Sequence, residues 1–298
     1  MAIVGYFILQ NPVAVQSQFG WFSQNSGTSN WLYGVSFVDS LYGWAAGDNY
    51  TIRKTTNGGL NWFSQSFGSG GDWTDIHFVN RSDGWLTGKQ GQIYGTTDGG
   101  SNWAIQHLGH SYTSIHFPDS LNGWAVGTLG VIKHTSDGGA NWSTQSSNVS
   151  DALHEVFFID ANRGWAAGIY ETILYTTNGG MNWSKSVDPD LYCDLLTVHF
   201  VDPDTGFAGG TCSAFGSTSN GSGWVGGTNG GIWMTDDGGQ TWNEQETDAS
   251  STIENLVMVN ERKGWAVGWG GKILHTSTGG VLGMETMANP EQMVSVWK

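Results

Sequence analysis

Basic residues are scarce in this chain. Its 298 residues hold 11 Lys and Arg against 26 Asp and Glu, a formal net charge of −15. A phosphate-binding face needs clustered Lys and Arg, so nucleic acid and anionic membrane surfaces are excluded as expected partners. Charged residues make up only 12% and prolines number 5. The composition is still not that of a disordered chain, because 17 Trp, 13 Phe and 9 Tyr need a place to be buried. After the first ten residues no apolar run is long enough to span a bilayer, so no membrane insertion is expected. The two cysteines form no C-x-x-C, the histidines form no H-x-x-H, and neither a metal nor a cofactor is expected. Helical periodicity is missing as well.

Glycine is plentiful, at 46 residues, and much of it is periodic. "TTNGGLNW" at Thr55–Trp62 returns as "TTDGGSNW", "TSDGGANW", "TTNGGMNW" and "TDDGGQTW", and decays to "TSTGGVLG" from Thr276. The second glycine of each box falls at Gly59, Gly100, Gly139, Gly180, Gly239 and Gly280. A Gly-Trp pair precedes most boxes, at Trp44, Trp85, Trp124, Trp165 and Trp265, with Phe207 taken as its equivalent in the fifth unit. Between these markers lie short runs rich in Val, Ile, Phe, Trp and Thr, bounded by Gly, Asp and Asn. Four short antiparallel strands in about forty residues make a propeller blade, since one such sheet cannot bury both faces alone.

The expected fold is therefore all-β, a six-bladed β-propeller of four-stranded antiparallel blades over residues 19–280. The longer fifth interval is expected to hold a Gly/Ser-rich insertion at about 212–230. "FGWFSQ" at Phe19–Gln24 matches "LNWFSQ" at Leu60–Gln65, which puts Trp21 where each box Trp stands. The N-terminal strand is thus expected to complete the last blade beside Lys272–Thr276 and close the ring.

The boxes read as a building element. A P-loop needs Lys after its glycines, and an EF-hand needs several carboxylates within twelve residues. Neither is present. Thr55 and Asn57, and likewise Asp98, Asp137, Asn178 and Asp237, are expected to hydrogen-bond the backbone of their own turns. The glycines supply positive φ, and Trp62, Trp103, Trp142, Trp183 and Trp242 pack between sheets.

The motif [ST]-x-[DN]-G-G-x-[NT]-W resembles the Asp-box of BNR-type repeats. The combined "GWAVG…ILHT" and box unit resembles more closely the photosystem II stability/assembly factor-like propellers, in particular their secreted bacterial members. The resemblance spans about residues 19–280 and implies the propeller fold. For function it is permissive, because Asp-box propellers include sialidases, glycanases, sorting receptors and assembly factors.

Chemistry is harder to find. A sialidase needs three convergent arginines, but Arg81, Arg163 and Arg262 lie in turns on the box face and Arg53 on a third strand, so no such triad is recognisable and no catalytic residue is assigned. The opposite face, built of blade-to-blade loops and the loops between second and third strands, carries Asp48, Asp72, Asp151, Glu171, Asp188, Asp190 and Asp194. It also carries the candidate ligand-contacting aromatics Trp31, Trp73, Tyr112, Tyr170, Tyr192 and Trp269. His77, His116 and His199 share one place in three first strands and read as inter-blade hydrogen-bonding residues.

Residues 1–18 are expected to be a signal peptide or leader, with Val15 and Ser17 before a cut, although no basic residue precedes the apolar core. Residues 281–298 form a tail, read as the start of a sorting segment. Secretion or cell-surface display would let Cys193 and Cys212 form a disulfide across the hairpin they flank; a cytoplasmic location is the alternative. The expected function is that of a monomeric, non-catalytic binding or scaffold propeller recognising a protein or polysaccharide through its loop face. The alternatives are a glycan-active hydrolase or lyase using loop carboxylates, and an assembly factor for a membrane protein complex.

Overall fold

The structure, a computed structural model, describes residues 20–278 except 68–70, 171, 187–192, 203–204, 213–222, 227–231, 236–242, 246, 248–249 and 261. The described residues form short β-strands with two 3-10 turns, and no helix among them is long and apolar enough to cross a membrane. The strands make a propeller of four-stranded antiparallel blades. Blade one is β2 (Leu32–Phe37), β3 (Gly43–Gly47), β4 (Thr51–Thr55) and β5 (Phe63–Ser64). Blade two is β6 (Trp73–Phe78), β7 (Gly84–Gly88), β8 (Gln92–Thr96) and β9 (Ala104–Leu108). Blade three is β10 (Tyr112–His116), β11 (Gly123–Gly127), β12 (Ile132–Thr135) and β13 (Ser143–Gln145). Blade four is β14 (Leu153–Phe158), β15 (Gly164–Gly168), β16 (Thr172–Thr176) and β17 (Ser184–Ser186).

A fifth complete sheet is built from both ends of the chain. β23 (Ile253–Met258), β24 (Gly264–Gly268) and β25 (Lys272–Thr276) are joined by β1 (Phe22–Gln24), in the order β1-β25-β24-β23. The register Phe22↔His275, Ser23↔Leu274, Gln24↔Ile273 is the expected closure. β1 covers the edge that β25 would otherwise leave open. Trp21 is wholly buried against Ile232, Ile253, Ala266 and Leu274.

Between blade four and this last blade lie a two-stranded sheet, β18 (Cys193–Asp202) with β19 (Thr205–Cys212), and a three-stranded one, β20 (Gly223–Gly226), β21 (Ile232–Thr235) and β22 (Asn243–Gln245). The stretch read as an insertion loop therefore contains a strand. Two segments share the register of a second strand: His199↔Phe207 repeats His77↔Trp85, and Trp224↔Met234 repeats Trp44↔Lys54. Phe207, expected as the Gly-Trp equivalent, takes that place by its register with His199, and the Gly-Trp pair at Gly223 and Trp224 takes a second-strand register once more. β18 packs on β15 of blade four, and β20 packs on β23 of the last blade.

The boxes hold their own turns as expected. Thr55 Oγ1 accepts from Gly59 N at 2.9 Å and donates to Asn57 Oδ1 at 3.0 Å, while Asn57 Oδ1 accepts from Asn61 N at 3.0 Å. The pattern recurs at Thr96/Asp98, Thr135/Asp137 and Thr176/Asn178. Gly58 and Gly59 sit at φ of 69° and 86°, where a Cβ would strain the turn.

The boxes also fasten each blade to the one before it. The Gly-Trp indoles donate across the seam to the first box glycine of the next blade: Trp44 to Gly99 O at 3.1 Å, Trp85 to Gly138 O at 3.1 Å and Trp124 to Gly179 O at 3.3 Å. Trp265 donates to Gly58 O at 3.3 Å, joining the last sheet to blade one. Glutamines three residues after the box Trp reinforce the same carbonyls: Gln24 Nε2 to Gly58 O, Gln106 Nε2 to Gly138 O and Gln145 Nε2 to Gly179 O. Gln24 and Gln145 also accept from the indoles of Trp62 and Trp183. Four of the described seams stack the Gly-Trp indole on a phenylalanine of the adjoining blade: Trp44–Phe78 at 3.7 Å, and Trp85–Phe117, Trp124–Phe158 and Trp265–Phe37 at 3.5 Å.

Candidate functional site on the loop face

Residues of the first strands follow a rule that decides which can meet a ligand. The opening residue of each, Leu32, Trp73, Tyr112, Leu153 or Ile253, is buried between blades. Trp73 and Tyr112, read from the sequence as ligand-contacting, are both 0% exposed, so their rings are core residues. Trp73 is boxed in by Phe67 and Tyr94, and Tyr112 packs with Ile93 and Trp85. The sequence reading erred because it placed them by proximity to the loops, whereas strand alternation turns this position inward.

The next residue of each first strand points to the axis instead. Tyr33, Thr74, Thr113, His154 and Glu254 line one cavity of about 180 Å³, together with Asp75, Glu155 and Lys89. Five first strands contribute, so the cavity is the mouth of the axial channel on the loop face. Aligning the repeats on their buried opening residue would have found these positions, since the residue after it varies among Tyr, Thr, His and Glu.

Beside the mouth, Trp31 and Trp269 stack with ring centroids 4.4 Å apart and planes within 1°. They are 40% and 39% exposed. Trp31 comes from the loop entering blade one, and Trp269 from the 3-10 turn Trp269–Gly271 between β24 and β25. The pair therefore straddles the seam where the chain closes. Tyr33 meets Trp31 edge-on at 6.4 Å, and Trp269 Nε1 donates to Glu254 Oε1. Burial pushes the Glu254 carboxyl above its usual value, against the opposing pull of the Trp269 hydrogen bond and the Lys89 charge.

Lys89 stands across the mouth. Its ammonium lies 3.0 Å from Asp48 Oδ1, 3.8 Å from Asp72 Oδ2 and 3.3 Å from the Tyr33 hydroxyl. Burial disfavours its charge, but Asp48 and Tyr33 outweigh that and raise its pKa. Two of the loop carboxylates singled out from the sequence are thus committed to one lysine. Asp151 accepts from Thr172 Oγ1 at 3.4 Å.

Deeper along the axis, Asp75 accepts from Ile76 N at 2.8 Å and Ile115 N at 3.0 Å, tying blade two to blade three. Burial raises its pKa to about 6 despite those bonds. His77 and His116 come next, 4.5 Å apart. His77 Nε2 bonds Phe117 O at 2.9 Å, and Phe158 N donates to His116 Nδ1 at 3.3 Å. Burial depresses the His77 pKa to about 4, so the ring is neutral near pH 7 and donates to that carbonyl. Both are inter-blade hydrogen-bonding residues, and among the described residues no group of His, Cys, Asp and Glu is arranged to hold a metal ion.

Tyr170 is 70% exposed on the loop between β15 and β16, at φ 52°. Every described non-glycine residue with positive φ, namely Asn49, Tyr50, Leu129, Asn148 and Tyr170, lies on this face. Tyr192, Asp237, Trp242, Glu171, Asp188 and Asp190 fall outside the described residues. On the opposite face Arg81 pairs with Asp39 at 2.8 Å and Arg163 with Asp160 at 2.6 Å; Arg53, on β4, donates to Ser64 Oγ and to Gly27 O in the loop between β1 and β2. None of the four arginines lines the cavity.

Fold, boxes and seams define an Asp-box β-propeller. The family model for the photosynthesis system II assembly factor YCF48 matches residues 68–148 and, overlapping it, 106–206. Over residues 68–206, a little under half of the chain, the repeats are accordingly YCF48-like BNR repeats. Among solved structures the chain is similar to YCF48 bound to D1 peptide, at 20% identity and a TM-score of 0.57, covering 88% of this chain and 98% of that one. It is also similar to YCF48 from Cyanidioschyzon merolae, at 17% identity and a TM-score of 0.65, covering 86% and 98%. The GH74 enzyme of Niastella koreensis matches at 15% identity and a TM-score of 0.53, covering 83% of this chain and 37% of the enzyme. At these identities the likeness is one of fold. No curated protein matches the sequence.

Proposed function

We propose that this chain is a non-catalytic binding propeller, a ring of six blade positions closed by its N-terminal strand, whose loop face grips an extended segment of a protein. The carrying observation is the half-exposed Trp31–Trp269 stack at the rim of the axial mouth. Large rigid rings beside carboxylates offer contact area at little entropic cost. The bulky residues at positive φ on the same face support the reading, since such backbone tends to persist where a loop serves a binding role. In YCF48 the same fold is seen with a peptide. The box face offers near-identical tips, and its polar groups are consumed by their own turns and by the seams. The sixth position would be shared by β18–β19 and β20–β22. Secretion or cell-surface display as a monomer fits the apolar leader and the cross-strand cysteines, and assembly of a membrane protein complex is one use such a module would serve.

A second reading has one observation in its favour: Glu155 and Glu254 line a single cavity, as a glycan hydrolase would require. The volume of about 180 Å³ weighs against it, being too small to enclose a sugar chain. A phage-displayed peptide library and a panel of soluble polysaccharides separate the two. Selected peptides should bind the wild type, lose affinity for a Trp31→Ala/Trp269→Ala variant, and keep it for Asp137→Asn. Polysaccharide cleavage abolished by Glu254→Gln would establish the enzyme instead, and binding sensitive only to Asp137 would move the site to the box face.

A further inference from the structure

We propose that the axial mouth is a socket for one cationic side chain, a lysine or arginine of the bound segment, with Glu254 as its charge partner and the Trp31–Trp269 pair as the ledge beside it. This rests on the binding role argued above and names the chemistry of what is bound. Volume is the first argument. A cavity of about 180 Å³ lies below the ~300–1,000 Å³ of small-molecule sites. It has room for one long side chain but not for a cofactor.

Charge is the second argument. Asp75, Glu155 and Glu254 line the cavity, and Lys89, the single Lys or Arg among its lining residues, is committed to Asp48 and Asp72. Asp75 is likewise spent on two backbone N–H groups. Glu254 differs from both. Its Oε1 is fixed by the Trp269 indole, and no other described group donates to the carboxylate. Burial has stripped it of water, and the one charge that acts on it, Lys89, is paired with Asp48 and Asp72, so an arriving ammonium or guanidinium would restore what folding removed.

The ledge is the third argument. The exposed outer surfaces of the indole pair lie next to that carboxylate, and a cation seated between carboxylate and ring gains from both. An acidic segment would meet three carboxylates, and an uncharged glycan would leave Glu254 without a counter-charge. With net charge −15 the whole protein steers basic segments inward.

The test follows the Trp269 indole N–H resonance while hexalysine, hexaglutamate or cellohexaose is titrated at about 0.15 M salt, where exposed charges are screened beyond ~8 Å. Glu254→Gln keeps an acceptor for Trp269, so the ledge stays in place. Asp83→Asn on the box face controls for nonspecific attraction. Hexalysine should shift the resonance, and Glu254→Gln should weaken its Kd about tenfold or more while Asp83→Asn leaves it unchanged. Failure of hexalysine to bind, equal binding by all three proteins, or tighter binding of hexaglutamate or cellohexaose overturns the socket. If library peptides still depend on Trp31 in that event, the binding face stands and only the socket falls. If nothing depends on Trp31, both fall together.

Discussion

Replacing Trp21 by alanine tests whether the ring is held shut by the first residues of the chain. The indole is 0% exposed and packs on Ile232, Ile253, Ala266 and Leu274, which belong to strands laid down more than two hundred residues later. Its Nε1 has no hydrogen-bond partner among the described residues, so truncation removes packing and leaves no described acceptor stranded. A buried Trp→Ala change of this kind costs about 3–5 kcal/mol, against a total of about 5–15 kcal/mol for a folded domain. Trp21→Phe should cost much less, because it keeps most of the ring and deletes a donor that is already unpaired. Phe63→Ala, at a 58% exposed ring on the fourth strand of blade one, one residue after the box Trp, should stay within about 0.5 kcal/mol. Urea unfolding followed by tryptophan fluorescence reads all three. A loss below about 1 kcal/mol for Trp21→Ala would mean that the last blade does not need its borrowed strand.

Acid should expose the box carboxylates. Hydrogen bonds from the Asn102 side chain and backbone hold Asp98 down to about 2. A lowered folded-state pKa contributes stability that is present above the unfolded value near 4 and lost as pH falls through about 2. Asp98→Asn, a residue the boxes at Asn57 and Asn178 already use, should leave the turn folded and shrink the wild-type advantage between pH 4 and pH 2; an advantage unchanged over that interval would refute the linkage. Cys193 and Cys212 stand directly opposite in the β18–β19 register. Opposed residues lie about 4.5–5.5 Å apart at Cα, inside the ~4.4–6.8 Å of disulfides. We expect no free thiol in unreduced protein exported to an oxidising compartment, and titration of two would rule the bridge out.

Much of the fold was legible because its determinants repeat. Thr, Asp or Asn, two glycines and Trp recur at one spacing, and the chemistry of each box is local, so one correct turn gives them all. The closing strand was legible for the same reason: "FGWFSQ" is a fourth strand without the three that belong before it. Misreading began where repetition became ambiguous. Phe207 and Trp224 both fit the second-strand marker, and Gly/Ser composition hid β20 inside an expected loop. The seam glutamines were visible as a repeat, three residues after the box Trp, but their purpose is a contact with another blade that no single unit contains.

The candidate site was least legible because it belongs to no single repeat. Tyr33, Lys89 and Glu254 come from the first, second and last blades, and their convergence depends on how the ring closes. Trp31 and Trp269 are separated by almost the whole chain, yet they stack because β1 brings the last blade against the first. The same closure that removes an exposed strand edge also builds the aromatic ledge. A change that opens the seam should therefore weaken ligand binding before it unfolds the remaining blades. The box face lacks this property, since each of its turns is completed by residues within five positions of one another. Identical local turns supply rigidity, and the one junction where unlike ends of the chain meet supplies a surface that differs from all the others.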